Sequence, residues 1–174
     1  ATLRPYWQQG GLRTLSEEAF QTTIAYPHMV YGGNETTATL MTGGTPDRHG
    51  YTMDTYFARR DRKIHSMLED ETTRGIGTKE KISPKNLLSQ TLTDRLRLMY
   101  PEAKIYAVGL QAPTSVLLAG HAANACCWMD PETQQWVATT AYSGGLPAAA
   151  FDQNHSGRIA TIAARQWTPR MDIS

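Results

Sequence analysis

The sequence predicts an α/β fold with a parallel sheet, and three observations predict it. Leu87, Leu88, Leu92, Leu96, Leu98 and Met99 recur at helical spacing over residues 83–99, with Pro84 placed for a first turn and Pro101 beyond the end. Directly after it, Ile105-Tyr106-Ala107-Val108-Gly109-Leu110 is short and apolar throughout, as expected of a strand covered on both faces. A helix feeding such a strand is the repeating unit of an α/β layer architecture. Third, Cys126-Cys127-Trp128-Met129 and Trp136-Val137-Ala138-Thr139-Thr140 flank Asp130-Pro131-Glu132-Thr133. Pro131 suits the second position of a type I turn, so this stretch reads as a β-hairpin.

The other elements follow in chain order. Leu12, Leu15, Ala19 and Phe20 share one face of a helix over residues 11–20. Thr22-Thr23-Ile24-Ala25-Tyr26 is β-branched and aromatic and predicts a strand stopped by Pro27. Gly32-Gly33-Asn34 breaks the chain before a short helix over residues 35–41, and residues 43–50 form a second breaker cluster. Residues 58–85 are polar and charged, a surface excursion between core segments. Residues 159–164 predict a last short helix, and no internal repeat is present.

Composition narrows the classes. A chain of 174 residues suits one domain or part of a larger one, and 40% hydrophobic with 9% aromatic content excludes intrinsic disorder. Seventeen Lys and Arg face sixteen Asp and Glu, and a net charge of +1 creates no field for a nucleic-acid backbone. No nucleic-acid partner is expected. No apolar run approaches the roughly 20 residues of a membrane span, so no transmembrane segment is expected in this chain, and no basic-then-apolar leader pattern opens it. The adjacent Cys126 and Cys127 would form only a strained disulfide, and they read as buried thiols.

Residue types alone yield two clusters of interest. The five histidines show no metal-ligand spacing, no Cys-x-x-Cys or His-Glu-x-x-His occurs, and neither a Walker loop nor a Gly-x-Ser-x-Gly elbow is present. Gly32-Gly33-Asn34-Glu35-Thr36-Thr37 carries hydroxyls into a helix start. Unpaired N–H groups and the helix dipole there suit a phosphoryl oxygen and an activated hydroxyl; equally, Asn34 is an ordinary cap with Thr36 and Thr37 in the first turn. Ala119-Gly120-His121-Ala122-Ala123-Asn124 packs small residues around a histidine that is either a base or a hydrogen-bonded structural group.

Thr39-Leu40-Met41-Thr42-Gly43-Gly44-Thr45-Pro46-Asp47-Arg48-His49-Gly50 resembles the Thr-Gly-x-x-Pro-x-x-His-Gly block of the alkaline phosphatase superfamily, nearest its type I phosphodiesterase/nucleotide pyrophosphatase branch. Further blocks agree in order: Ser83-Pro84-Lys85-Asn86-Leu87-Leu88, the stretch 119–124, Trp128-Met129-Asp130 and Thr139-Thr140-Ala141-Tyr142. The resemblance runs over about residues 11–167. It implies a three-layer α/β/α fold with a mostly parallel sheet plus a β-hairpin excursion, residues 1–174 being the N-terminal portion of one alkaline-phosphatase-like domain and so an incomplete part of it. It implies a phosphoric ester hydrolase, phosphatase or phosphodiesterase, using two zinc ions and a hydroxyl nucleophile on a small phosphoester substrate. A periplasmic or secreted location is implied too, as is a partner surface for the rest of the domain or for self-association.

Carried over residue by residue, the family nucleophile falls on Gly33, which has no hydroxyl, and Thr36 and Thr37 are the nearest candidates. The slot where relatives hold phosphate with Asn is Asp54, and the family's Lys-x-Arg reads Gln111-Ala112-Pro113. The family's first metal-binding Asp precedes a segment like Ala1-Thr2-Leu3-Arg4, and its other ligands come later than residue 174, so the metal ligands are unknown from this chain. Thr36, Thr37 and Asp54 are the candidate catalytic residues. The lost nucleophile and charges also raise an alternative, a catalytically degenerate member acting as a binding or interaction module.

Overall fold

The structure, a computed structural model, describes residues 11–23, 25–29 and 33–166. Helix α1 (Gly11–Glu18) matches the first amphipathic pattern. The strand expected over residues 22–26 does not form: positions 22, 23, 25 and 26 are irregular, and Ile24 lies outside the described residues. No described strand runs beside it, and β propensity without a ladder leaves the backbone groups to water.

Two left-handed glycines organise the second breaker cluster. Helix α2 (Asn34–Thr42) ends at Gly43 (φ 67°), whose N–H donates to the Thr39 carbonyl at 2.8 Å. The one-turn helix α3 (Pro46–His49) starts after the extended Thr45, with Pro46 in its first turn, and ends at Gly50 (φ 77°). His49 is fully buried. Its Nδ1 accepts the Tyr51 N–H at 3.1 Å, which leaves the proton on Nε2 to reach the Thr39 hydroxyl, also at 3.1 Å. Burial lowers its pKa, nearby His28 lowers it further, and Asp47 opposes both.

Beyond α3, β1 (Thr55–Ala58) and β2 (Lys63–Ser66) pair antiparallel as an exposed hairpin. The excursion is only partly superficial. Leu68, Asp70, Thr73 and Ile82 are buried within it, and β3 (Gly75–Ile76) joins the main sheet. Asp70 explains why the loop holds its shape. Its carboxylate accepts the Ser83 hydroxyl at 2.6 Å and the Thr72 hydroxyl and N–H at 2.6 and 3.0 Å, with Lys85 Nζ at 3.5 Å. Burial works to raise its pKa, but these donors outweigh burial and hold it at about 2.

The helix expected over residues 83–99 is two pieces. A 3₁₀ turn (Pro84–Asn86), capped by Ser83, ends at the extended Leu87, and α4 (Leu92–Met99) restarts at a capping box between Thr91 and Asp94. The break scatters the leucines: Leu87 is buried, whereas Leu88, Leu92, Leu96, Leu98 and Met99 are exposed. The main sheet then assembles from β4 (Tyr106–Gly109), β5 (Ala125–Met129), β6 (Trp136–Thr139) and β3 in the order β3-β6-β5-β4. Helix α5 (Ala112–Ala119) is the crossover between parallel β4 and β5 and packs between these strands and α2. The α/β class therefore holds. Parallel pairing is confined, among the described residues, to β4–β5; β5–β6 is the expected hairpin, and so short a turn joins only antiparallel strands. Helices α6 (Ala148–His155) and α7 (Arg158–Ala163) close the described chain, α6 against β6.

The core lies between α5 and the sheet, where Val116, Leu117, Cys126, Trp128 and Val137 are at most 1% exposed. Both cysteines are free and buried, as expected, and burial pushes the Cys126 thiol up to about 12 and the Cys127 thiol up as well. Strand β4 is covered on one face, not on both as its apolar run predicts: Ala107 is buried, but Tyr106 and Val108 are exposed, because α5 packs on one face and no described element covers the other, and no described strand pairs with its outer edge.

The block over residues 119–124 is a structural joint. Asp94 is 5% exposed, and its carboxylate accepts N–H groups of Thr91 (2.9 Å), His121 (2.7 Å) and Ala122 (2.9 Å), together with His121 Nδ1 at 2.8 Å. His121 Nε2 faces the Leu87 carbonyl at 3.1 Å, so this histidine is the hydrogen-bonded structural group. Asn124 Oδ1 accepts Arg97 Nη2 at 2.6 Å and the Ile105 N–H at 2.8 Å, tying α4 to the entry of β4. Gly120 (φ 66°, ψ −159°) passes so close that an added Cβ would stand 2.1 Å from the Thr91 hydroxyl and 2.8 Å from Asp94 Oδ1.

Two predictions follow from these joints. Gly120→Ala combines a forbidden backbone angle with an overlap and should cost about 2–4 kcal/mol in urea denaturation; a change below about 0.5 kcal/mol would contradict the packing described. Asp70 has a depressed folded pKa, so its stabilisation is present above the ordinary carboxylate value and is lost as pH falls from about 4 towards 2. Asp70→Asn should remove about 1–2 kcal/mol at neutral pH, after discounting for solvent, and flatten the acid limb of a stability–pH curve.

Candidate active-site cleft

A cleft of about 1090 Å³ opens where the start of α2, the start of α5 and the β5–β6 turn converge, with Asn34, Asp54, Gln111 and Pro113 among its walls. The first turn of α2 is built without a side-chain cap. Gly33 is the N-cap, and Asn34, which the sequence offered as the cap, is the first helical residue and 7% exposed. Its amide is committed to tertiary contacts instead. Nδ2 donates to both Asp54 oxygens at 2.9 and 3.0 Å, and Oδ1 accepts the Thr114 hydroxyl at 2.6 Å. The Tyr51 hydroxyl donates to Asp54 Oδ1 at 2.6 Å. Burial raises the Tyr51 pKa most, and the hydrogen bond to Asp54 and the charges of Asp54 and Glu35 raise it further, so the phenol stays a donor.

Of the three candidate residues, Asp54 lines the cleft and Thr36 and Thr37 do not. Thr36 and Thr37 are half-buried in the first turns of α2. The Thr37 hydroxyl donates back to the Gly33 carbonyl at 3.0 Å, a local helix contact. Asp54 is held by Asn34 and Tyr51, so its charge has a fixed position at the cleft wall. Residue-type reasoning missed Tyr51 and Thr114. Thr114 is 80 residues from Asn34, and nothing local in the sequence marks that pair.

The opposite wall is acidic. Glu80 accepts Trp128 Nε1 at 2.9 Å, and its pKa is raised chiefly by burial, with the indole N–H opposing and the charge of Asp130 assisting. Asp130 is held below the usual carboxylate range by the N–H groups of Thr133 and Glu132, which it accepts within the turn. Lys79 is the one cationic side chain that the described residues bring to this cleft. Among the described residues, no group of three or more His, Cys, Asp or Glu is arranged to hold a metal ion.

The chain has counterparts among known proteins, although no family model matches the sequence. A protein of Myroides odoratus named calcium-transporting ATPase is 30% identical over 149 residues, covering 81% of this chain and 27% of that protein. Alkaline phosphatase PafA of Elizabethkingia meningoseptica is 30% identical over 140 residues, covering 78% of this chain and 26% of PafA. The crystal structure of wild-type PafA matches with a TM-score of 0.73 at 29% identity, over 81% of this chain and 28% of that one. An α/β fold with the left-handed glycines and buried histidine of residues 43–50 thus has the architecture of a known phosphatase. The chain belongs to the alkaline phosphatase superfamily. It spans about a quarter of the length of the relatives it matches.

The Asn34–Asp54–Thr114 contact yields a prediction. Asn34→Ala leaves Thr114 without its acceptor and Asp54 with Tyr51 alone, and should cost about 1–3 kcal/mol in chemical denaturation. Thr114→Ala should cost less, about 1 kcal/mol. A double variant whose loss equals the sum of the single losses would show that the contacts are uncoupled.

Proposed function

We propose that residues 1–174 are the N-terminal portion of one alkaline-phosphatase-like domain in a metal-dependent phosphoric ester hydrolase, a phosphatase or phosphodiesterase. The match to the PafA structure at 29% identity carries this reading. In this reading Asn34 and Asp54 fix the cleft wall beside the phosphoryl group, and the hydroxyl nucleophile is Thr36 or Thr37, which stand in the first turns of α2 and do not line the cleft in this structure. Asp54, Glu80 and Asp130 against Lys79 make the cleft a poor host for a dianionic monoester, and a monoanionic diester suits it better. The described residues do not form a zinc site of their own, so in this reading the two zinc ions are held by parts of the domain outside them. When bound, such ions stabilise the attacking and leaving oxygens of an in-line displacement.

The remaining domain, or failing that a second copy, would cover the exposed Tyr106, Val108 and Leu110 of the β4 edge and the leucines of α4. A periplasmic or secreted location accompanies the reading, by likeness to bacterial phosphatases. No helix among the described residues is long and apolar enough to cross a membrane. A second reading, a degenerate member retained as a binding or interaction module, is favoured by Gly33 at the expected nucleophile position and by the acidic wall.

Metal analysis of the full-length protein together with turnover of p-nitrophenyl mono- and diesters separates the two. The hydrolase reading expects about two zinc ions per chain, faster diester than monoester turnover, and loss of turnover in a folded Thr36→Ala/Thr37→Ala variant. Full activity of that variant removes both threonines as nucleophile. Metal-free protein without turnover leaves the binding reading.

A further inference from the structure

We propose that the β1–β2 hairpin docks on an anionic lipid surface, its turn cations holding lipid phosphates while Phe57 and Ile64 enter the interface. The argument begins with charge. Arg59, Arg60, Arg62 and Lys63 fall within five consecutive positions of a chain whose net charge is only +1. All four are exposed, and among the described residues none makes an ion pair or a side-chain hydrogen bond. Arg62 adopts a left-handed backbone (φ 58°), where glycine or asparagine fits better, so the turn retains a cation at a position that disfavours it.

The acidic groups nearby are already engaged. Asp61 and Glu69 lie against the two nitrogens of His65 at 2.7 and 2.5 Å, Glu71 pairs with Lys81 at 2.6 Å, and Glu80 accepts the Trp128 indole. The two carboxylates raise the His65 pKa, so the ring adds to the positive tip as pH falls. The hairpin therefore shows an outside partner mainly its cations.

An apolar pair shares this tip. Phe57 and Ile64 are directly opposite in the hairpin register and so lie on one face, 61% and 73% exposed. Cations at a turn with a protruding apolar pair beside them supply the two signals that membrane-surface binding needs, headgroup attraction and apolar insertion. A nucleic acid would require stacking platforms. Ile64 offers none, and the Tyr56 ring on the other face is stacked on His65 at 5.8 Å.

The test is co-sedimentation of the full-length protein with vesicles of phosphatidylcholine alone or with about one-third phosphatidylglycerol, near 0.1 M salt. Binding to the anionic vesicles is expected, at least tenfold weaker in R59E/R60E and also in F57S/I64S, each checked for an unchanged thermal midpoint. If a paired variant fails to fold, R60E and I64S singly carry the same reading. No binding, or equal binding to phosphatidylcholine alone, overturns the proposal. So does a loss in R59E/R60E that F57S/I64S does not share, with duplex DNA or polyglutamate bound more tightly than vesicles, which identifies a soluble polyanion as the partner. A dimer that F57S dissolves while vesicle binding stays unchanged also overturns it, in favour of a second copy.

Discussion

The Asp94 carboxylate sits where the α4 cap, the α5–β5 connection and the Leu87 segment meet, and its four hydrogen bonds decide how they meet. A carboxylate at 5% exposure would be strongly unfavourable without partners. Here every contact comes from an N–H donor, and the net effect is a pKa below the usual range despite burial. The same group ends the loop before α4, fixes the backbone after Gly120, and through His121 reaches the Leu87 carbonyl. Since β5 begins a few residues later, the position of the parallel β4–β5 pair, and of the cleft at its end, depends on this joint.

The cleft follows a related logic with a different outcome. Asp94 is surrounded by donors and buried, whereas Asp54 has three hydrogen bonds from two side chains and remains at a solvent-filled wall. The first is a fastening and the second a fixed charge. A fixed negative charge beside an uncapped helix start opposes the field of that helix, and the two together set which anions can approach. The acidic β5–β6 turn, formed because Asp130 closes its own loop, extends the same negative field across the opening.

Much of the fold was legible because it is written locally. The pattern of α1, the short helix after residue 33, the apolar strand near residues 105–110 and the Asp130-Pro131 hairpin each depend on neighbours within one or two turns, whereas the crossover helix α5 was not read from the sequence. The failures share one cause, which is that tertiary partners decided them. Residues 22–26 have strand composition but no partner strand among the described residues, and the leucine spacing over residues 83–99 conceals a restart because Thr91 and Asp94 cap each other. At the candidate site, Asp54 was identifiable only through its position in an ordered block. Asn34 was visible but assigned the commoner role of its residue type, and Tyr51 and Thr114 carried no signal. Whether Asn34 caps a helix or bridges two elements depends on a hydroxyl 80 positions away.

That separation has a consequence during biosynthesis. Chains emerge at about 5–20 residues per second, so roughly 4–16 s pass between the appearance of Asn34 and that of Thr114. Over that interval the amide and Asp54 have only each other and Tyr51, and α2 has no α5 to lie against. The cleft wall is thus a late product of translation, and codon-level pauses between these two positions would lengthen the time its polar groups spend facing the ribosome exit and any waiting chaperone.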